Sequence, residues 1–141
     1  MARRTLETLI RLNRFEVDEK RRALQALLDR EAEIQATIRR LDAELKAEQD
    51  VAARPEAAEL GAVYGAFAAA AKTRKAEQLE RLADLYPEIE AARADLAEAF
   101  AGLKKYEIAK RNRDEAEAAD AARRDGIELD EMGLAAHRRS E

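Results

Sequence analysis

The chain has no cysteine and no tryptophan, and its 141 residues include only two prolines, five glycines, three Phe and three Tyr. Without cysteine there is no disulfide framework, no thiolate metal site and no Cys nucleophile. The one histidine, His137, sits beside Arg138 and Arg139, and a lone imidazole without thiolates makes no zinc site. Serine occurs once, as Ser140. Aromatic and β-branched residues are too sparse to build a sheet-based enzyme domain. No phosphate-loop pattern of the G-x-x-x-x-G-K-[ST] kind is present, and Gly61 and Gly65 follow no strand. They suit a flexible helix start. No apolar run approaches the roughly 18 residues of a membrane span. Arg3 and Arg4 lead into Leu6, Glu7 and Thr8 rather than an apolar segment, which is not a signal peptide. The expectation is a soluble cytoplasmic protein with no enzymatic activity, no cofactor and no metal.

What the chain does have is helix-forming residues. Ala (33), Glu (20), Arg (19), Leu (16) and Lys (7) make up 95 of 141 positions, well above the roughly one half that signals a long helix or coiled coil. The fold expected is therefore all-α, an elongated antiparallel two-helix coiled-coil hairpin forming a single domain. The net charge of −4 argues against nonspecific nucleic-acid binding. Charge is nonetheless uneven. Residues 1–30 carry eight basic and five acidic side chains, and residues 31–60 carry four and eight.

Hydrophobic periodicity defines the first helix, over about 3–48. Positions alternately four and three apart run Leu6, Ile10, Asn13, Val17, Lys20, Leu24, Leu27, Glu31, Ile34, Ile38, Leu41, Leu45 and Glu48. Nine of these thirteen are apolar, which is the pattern of a narrow coiled-coil seam. Lys20 and Glu31 interrupt it with long stems that can reach water, and Asn13 suits a register-fixing role. A turn follows at about 49–55. Pro55 with Glu56 fits the first turn of a second helix, expected over about 56–124.

The second seam is clear at Leu82, Leu85, Ile89, Ala92, Leu96, Ala99, Leu103 and Tyr106. Earlier, Leu60, Val63, Tyr64, Phe67, Ala70 and Ala71 follow a shifted phase, so a stutter or looser packing is expected between about Phe67 and Leu79. Pro87 lies within the pattern, and because the spacing passes through it unchanged, the helix is expected to kink there rather than end. A turn centred near residue 52 would set Leu6 opposite Ala99 and Leu24 opposite Arg81, leaving an overhang beyond about Lys105. The tail, about 125–141, is expected to be partly flexible; its short apolar island, Ile127–Met132 between Gly126 and Gly133, is either frayed helix or a docking element ordered by a partner.

Two kinds of surface remain for partners. Arg3, Arg4, Arg11 and Arg14 on the first helix and Lys104, Lys105, Lys110, Arg111 and Arg113 on the second converge on the open end of the hairpin. The alternative for these is a solvated surface held by local ion pairs. Leu12 and Phe15 point away from the first seam, and Tyr86 and Phe100 widen the second. They are candidate contacts with another molecule, although scattered exposed apolar residues are common.

Leu6-Glu7-Thr8-Leu9 with Leu12 and Glu16-Val17-Asp18, the pair Tyr64 and Phe67, and Leu129-Asp130-Glu131 ahead of His137-Arg138-Arg139 resemble the FliJ family of flagellar type III export. The resemblance extends over nearly the whole chain. It implies a stalk-like coiled-coil hairpin whose open end enters the hexameric ring of the export ATPase FliI. It also implies contact with the export-gate protein FlhA, recycling of export chaperones, and a position peripheral to the inner membrane at the flagellar base. By the same resemblance, Phe67 matches the aromatic position used toward the gate, with Tyr64 one turn earlier. The positions expected to follow on that face, Ala71, Arg74 and Gln78, depart from the family pattern, which has larger apolar or His residues at some of them. Two other readings stay open: a structural or self-assembling coiled-coil scaffold, and a stalk subunit of a rotary ATPase.

Overall fold

A computed structural model describes residues 2–55 and 61–140, apart from the side chains of Ala2, Arg3 and Ala62. It contains two helices, α1 (Ala2–Ala52) and α2 (Gly61–Ser140), and no strand among the described residues. The fold is all-α. Helix α1 continues one turn past the expected end near 48. It is closed by Ala53 N–H donating to Gln49 C=O at 3.1 Å, then by a tighter bond from Arg54 N–H to Val51 C=O at 3.1 Å. The expected start of the second helix at about 56 falls outside the described residues.

Helix α2 also continues past the expected end near 124, reaching Ser140. Residues 125–140 contain no proline and are rich in Glu, Leu, Met, Ala and Arg, so local propensity outweighs the cost of Gly126 and Gly133. His137, Arg138 and Arg139 in the last turn complement the negative end of the helix dipole. The Ser140 hydroxyl donates to the His137 carbonyl at 2.8 Å. Pro87 lies inside α2 without ending it. It cannot donate to the carbonyl of Ala83, but both residues are exposed, so water can take that place.

The chain groups into two compact units, Met1–Val17 with Ala99–Glu141, and Asp18–Glu98. In the second of these, every α1 seam position from Lys20 to Glu48 is buried or half-buried. On α2 the half-buried or buried positions are Tyr64, Ala68, Ala71, Lys75, Gln78, Leu82, Leu85, Ile89, Ala92 and Leu96, a strict alternation of four and three. The expected stutter between Phe67 and Leu79 is absent from this pattern. Val63 is 68% exposed and Phe67 43% exposed, while the smaller Ala68 and Ala71 occupy the seam. Neighbouring residues of a helix are about 100° apart, so bringing Phe67 inward would require α2 to unwind between it and Leu82. The stronger run of Leu and Ile downstream sets the phase, and Phe67 is left outside.

The register also differs from the expected one. A turn centred near 52 would set Asp42 against Val63; instead Lys75 Nζ lies 2.7 Å from the Asp42 carboxylate. Arg30, Glu33 and Ile34 of α1 share a groove with Arg81, Asp84, Leu85 and Glu88 of α2. Partners on α2 thus descend in number as those on α1 ascend. The expected pairing of Leu24 with Arg81 is displaced because α1 runs on to Ala52 and described α2 begins at Gly61. Each residue by which the pivot moves shifts the opposite position by two.

In the other unit, Leu6, Ile10, Asn13 and Val17 of α1 are buried or half-buried together with Ala99, Leu103, Tyr106, Lys110 and Arg113 of α2. Across both units the buried core is Ile10, Val17, Leu41, Ala71, Leu85, Ile89, Ala99 and Leu103. All eight lie on the 4/3 seams, so seam membership should decide mutational cost. Leu85→Ala is expected to destabilise by about 2–3 kcal/mol, and Leu79→Ala, 47% exposed, by less than about 0.5 kcal/mol. Urea unfolding followed by circular dichroism measures both. Equal costs would contradict the continuous seam.

Candidate functional site

The open end is built within one unit by the first turns of α1 and by α2 from Ala99 onward. Asn13 donates from Nδ2 to the Leu9 carbonyl at 2.7 Å, a bond within its own helix. Its Oδ1 stands 3.1 Å from where a Cβ on Gly102 would lie. Gly102 therefore admits the Asn13 amide at a point where any side chain would crowd it. By contrast, nothing lies within 4 Å of such an atom on Gly126.

The basic residues expected at this end are brought together, but carboxylates are interleaved with them. Arg14 lies 3.7 Å from one oxygen of Glu107, and Lys104 lies 3.7 Å from the other. Arg113 pairs with Asp114 at 3.2 Å and reaches Glu117 at 4.0 Å. Arg113 is a seam residue whose side chain is only 21% exposed, and its Nε and Nη1 are buried without a hydrogen-bond partner. An open groove of about 680 Å³ is lined by Glu7, Ile10, Arg11 and Arg14 from α1 and by Glu107, Lys110, Arg111, Asp114, Glu115 and Ala118 from α2. Four cations and four carboxylates therefore share its walls, and the end is of mixed charge rather than uniformly positive. Arg4 is exposed, and the side chain of Arg3 is outside the described residues. Lys104 Nζ lies 5.5 Å from the centroid of Phe100 and Lys105 Nζ 5.9 Å from that of Tyr106, distances at which a cation and a ring attract.

This pairing also moves the overhang. Leu6 was expected opposite Ala99, with α2 unpaired beyond about Lys105. Glu7 instead shares the groove with Lys110, Asp114 and Ala118. Beyond that point α2 is exposed at every described position except half-buried Ala135.

The apolar candidates stand clear of the seams. Leu12 is 59% and Phe15 58% exposed, and Tyr86 and Phe100 are also exposed. Ile108 and Leu134, which the sequence reading did not single out, are exposed too, as are Leu129 and Met132 of the apolar island in the tail. Their signal in the sequence was the expected overhang, along which α2 has no α1 partner.

The two aromatic residues matched to the gate part company. Phe67 faces outward with Val63, whereas Tyr64 is half-buried in the seam. There burial raises its phenol pKa, as do repulsion from the Glu48 carboxylate and a hydrogen bond donated to it. Ala71 is buried and Gln78 half-buried, so of the positions expected to follow Phe67, only Arg74 is exposed. Among the described residues no three metal-ligating side chains cluster, and no helix is long and apolar enough to cross a membrane.

A family model described as "Flagellar FliJ protein" matches residues 1–141 of the chain. No curated protein and no solved structure matches it.

Two measurements follow from this geometry. Gly126→Ala should stabilise by about 1 kcal/mol through helix propensity alone, and Gly102→Ala by clearly less because Asn13 must give way. Glu48→Gln should lower the Tyr64 phenol pKa by removing the charge that opposes ionisation, as read by ultraviolet titration against a Tyr64→Phe control. An unmoved titration would show that Glu48 does not act on Tyr64.

Proposed function

As a member of the FliJ family, the chain is a component of flagellar type III protein export, and we propose that it acts there as a stalk for the hexameric export ATPase FliI. On this reading α1 and α2 form an antiparallel hairpin whose open end enters the ring and biases its assembly or site closure. The chain itself performs no chemistry. It remains cytoplasmic, peripheral to the inner membrane at the flagellar base.

The observation that carries this reading is the open end itself. The Arg14–Glu107 ion pair and a half-buried seam join α1 to α2 there, and α2 alone continues to Ser140. A paired base that fixes orientation, followed by a single exposed helix, suits insertion into a central opening. Mixed charge on the base favours a ring with a matching alternation of charge, which supports specificity and encounter rate more than affinity.

Contact with the gate protein FlhA belongs to Phe67, joined by Val63 and Arg74, since Tyr64 is engaged with Glu48. Export chaperones would meet the outer apolar residues Leu12 and Phe15, or Tyr86, or Phe100. These side chains are exposed and off the seam, so a partner can cover them without opening the helix pair.

Charge reversal at Arg11, Arg14, Lys104 and Arg111 together is expected to weaken stimulation of the purified export ATPase by about ten-fold or more. Phe67→Ala is expected to leave stimulation unchanged while weakening capture of the FlhA cytoplasmic domain. Undiminished stimulation by the charge-reversed chain, with its helix content intact by circular dichroism, would overturn the stalk assignment.

A further inference from the structure

Two seams one residue apart are written into the first turns of α2. The one that packs runs Tyr64, Ala68, Ala71, Lys75, Gln78 and Leu82, each buried or half-buried. The other runs Val63, Phe67, Ala70 and Arg74, then reaches the same Gln78 and Leu82 by two further steps of four. All four of its own positions are exposed, Val63 at 68% and Phe67 at 43%. A run of fours in place of an alternation is a stutter, which a coiled coil absorbs by a local change in winding. The difference between the two settings is therefore confined to the helix before Gln78, which turns by about 100° from one to the other.

The settings rely on different kinds of interaction. In the one described above, Ala68 and Ala71 contribute little apolar area, and polar contacts tie α2 to α1 on either side of them. The Tyr64 hydroxyl donates to Glu48, and Lys75 Nζ lies 2.7 Å from the Asp42 carboxylate. Turning the stretch would break both contacts and carry Tyr64 outward. It would bring Val63 and Phe67 in against the α1 seam, where Leu45 and Val51 are half-buried one turn to either side of Glu48. Apolar burial thus favours one setting and polar contacts the other, and neither contribution is large.

We propose that residues 61–78 of α2 form a two-position switch, which presents Phe67 in the setting described above and packs it against α1 in the other. Asp42 and Glu48 hold the switch in the first position. A partner that binds Phe67 selects that position, because only there does it find the ring. This use of the switch rests on the gate reading, whereas the two settings are a property of the chain alone.

With no native cysteine in the chain, single cysteines at two adjacent positions report the setting. Ala70 is exposed and Ala71 buried, so Ala70→Cys is expected to react with a charged aromatic disulfide reagent about ten-fold faster than Ala71→Cys, or more. Introducing Asp42→Ala with Glu48→Ala, which leaves α2 unchanged, should lower that ratio about ten-fold. Adding Phe67→Ala should restore it, because the apolar gain of the second setting is then gone. Helix content by circular dichroism is expected to stay constant throughout. A ratio indifferent to the loss of Asp42 and Glu48 would overturn the proposal. So would a lowered ratio that Phe67→Ala fails to restore, which marks loosening rather than rotation. Ratios as expected, together with no capture of the FlhA cytoplasmic domain, would fault the gate reading and uphold the switch.

Discussion

Phase is the constraint on which the rest depends. Within each compact unit α2 runs without a break, so the angular position of each side chain there is tied to that of its neighbours. In the unit Asp18–Glu98, Leu82, Leu85, Ile89 and Leu96 hold one face of α2 against α1, and its other faces follow from that choice. Phe67 is exposed for this reason, although it is larger and more apolar than Ala68 beside it. In the other unit Ala99, Leu103 and Tyr106 hold the seam, and Ala101, Ile108, Leu129 and Met132 are exposed. Local preference at a single position is small beside the cost of unwinding a helix that is satisfied over many turns.

The seam that sets this phase is thin. Among the described residues, eight apolar ones are buried and no polar or charged residue is. Lys20, Glu31, Glu48, Lys75, Gln78 and Arg113 sit at seam positions but stay half-exposed, their stems covering apolar surface while their heads reach water or a partner. Lys75 reaches Asp42, and Tyr64 reaches Glu48. Alanine at 68, 71, 92 and 99 allows close helix approach but contributes little apolar area. Stability is thus spread in small amounts over many turns, and substantial apolar surface is left on the outside.

On the proposed reading, that outside surface is where the chain meets its partners. Membership of the FliJ family places it in flagellar export. Carboxylates are interleaved with the cations at the open end, so the recognition proposed there would depend on pattern rather than on net charge. Farther along α2 the charge balance of the sequence shifts from basic to acidic. The helix can thus present two different electrostatic characters, one beside α1 and one where it continues alone.

Composition and periodicity were enough to establish two helices without strands, and the thirteen seam positions of α1 from Leu6 to Glu48 were legible because each is set by local spacing. The α2 seam from Leu82 to Tyr106 was legible for the same reason, as was the outward direction of Leu12, Phe15, Tyr86 and Phe100. What the sequence could not supply was the alignment between the helices, because a 4/3 repeat looks the same after a shift of seven residues, and a small error in the pivot is doubled at the partner. Only the tertiary structure set Asp42 beside Lys75 and Arg14 beside Glu107, drew Tyr64 into the seam while leaving Phe67 outside, and showed where α2 loses its partner. Spacing along one helix is a local property written in the chain, whereas register between two helices is a collective one that emerges when both seams are packed together.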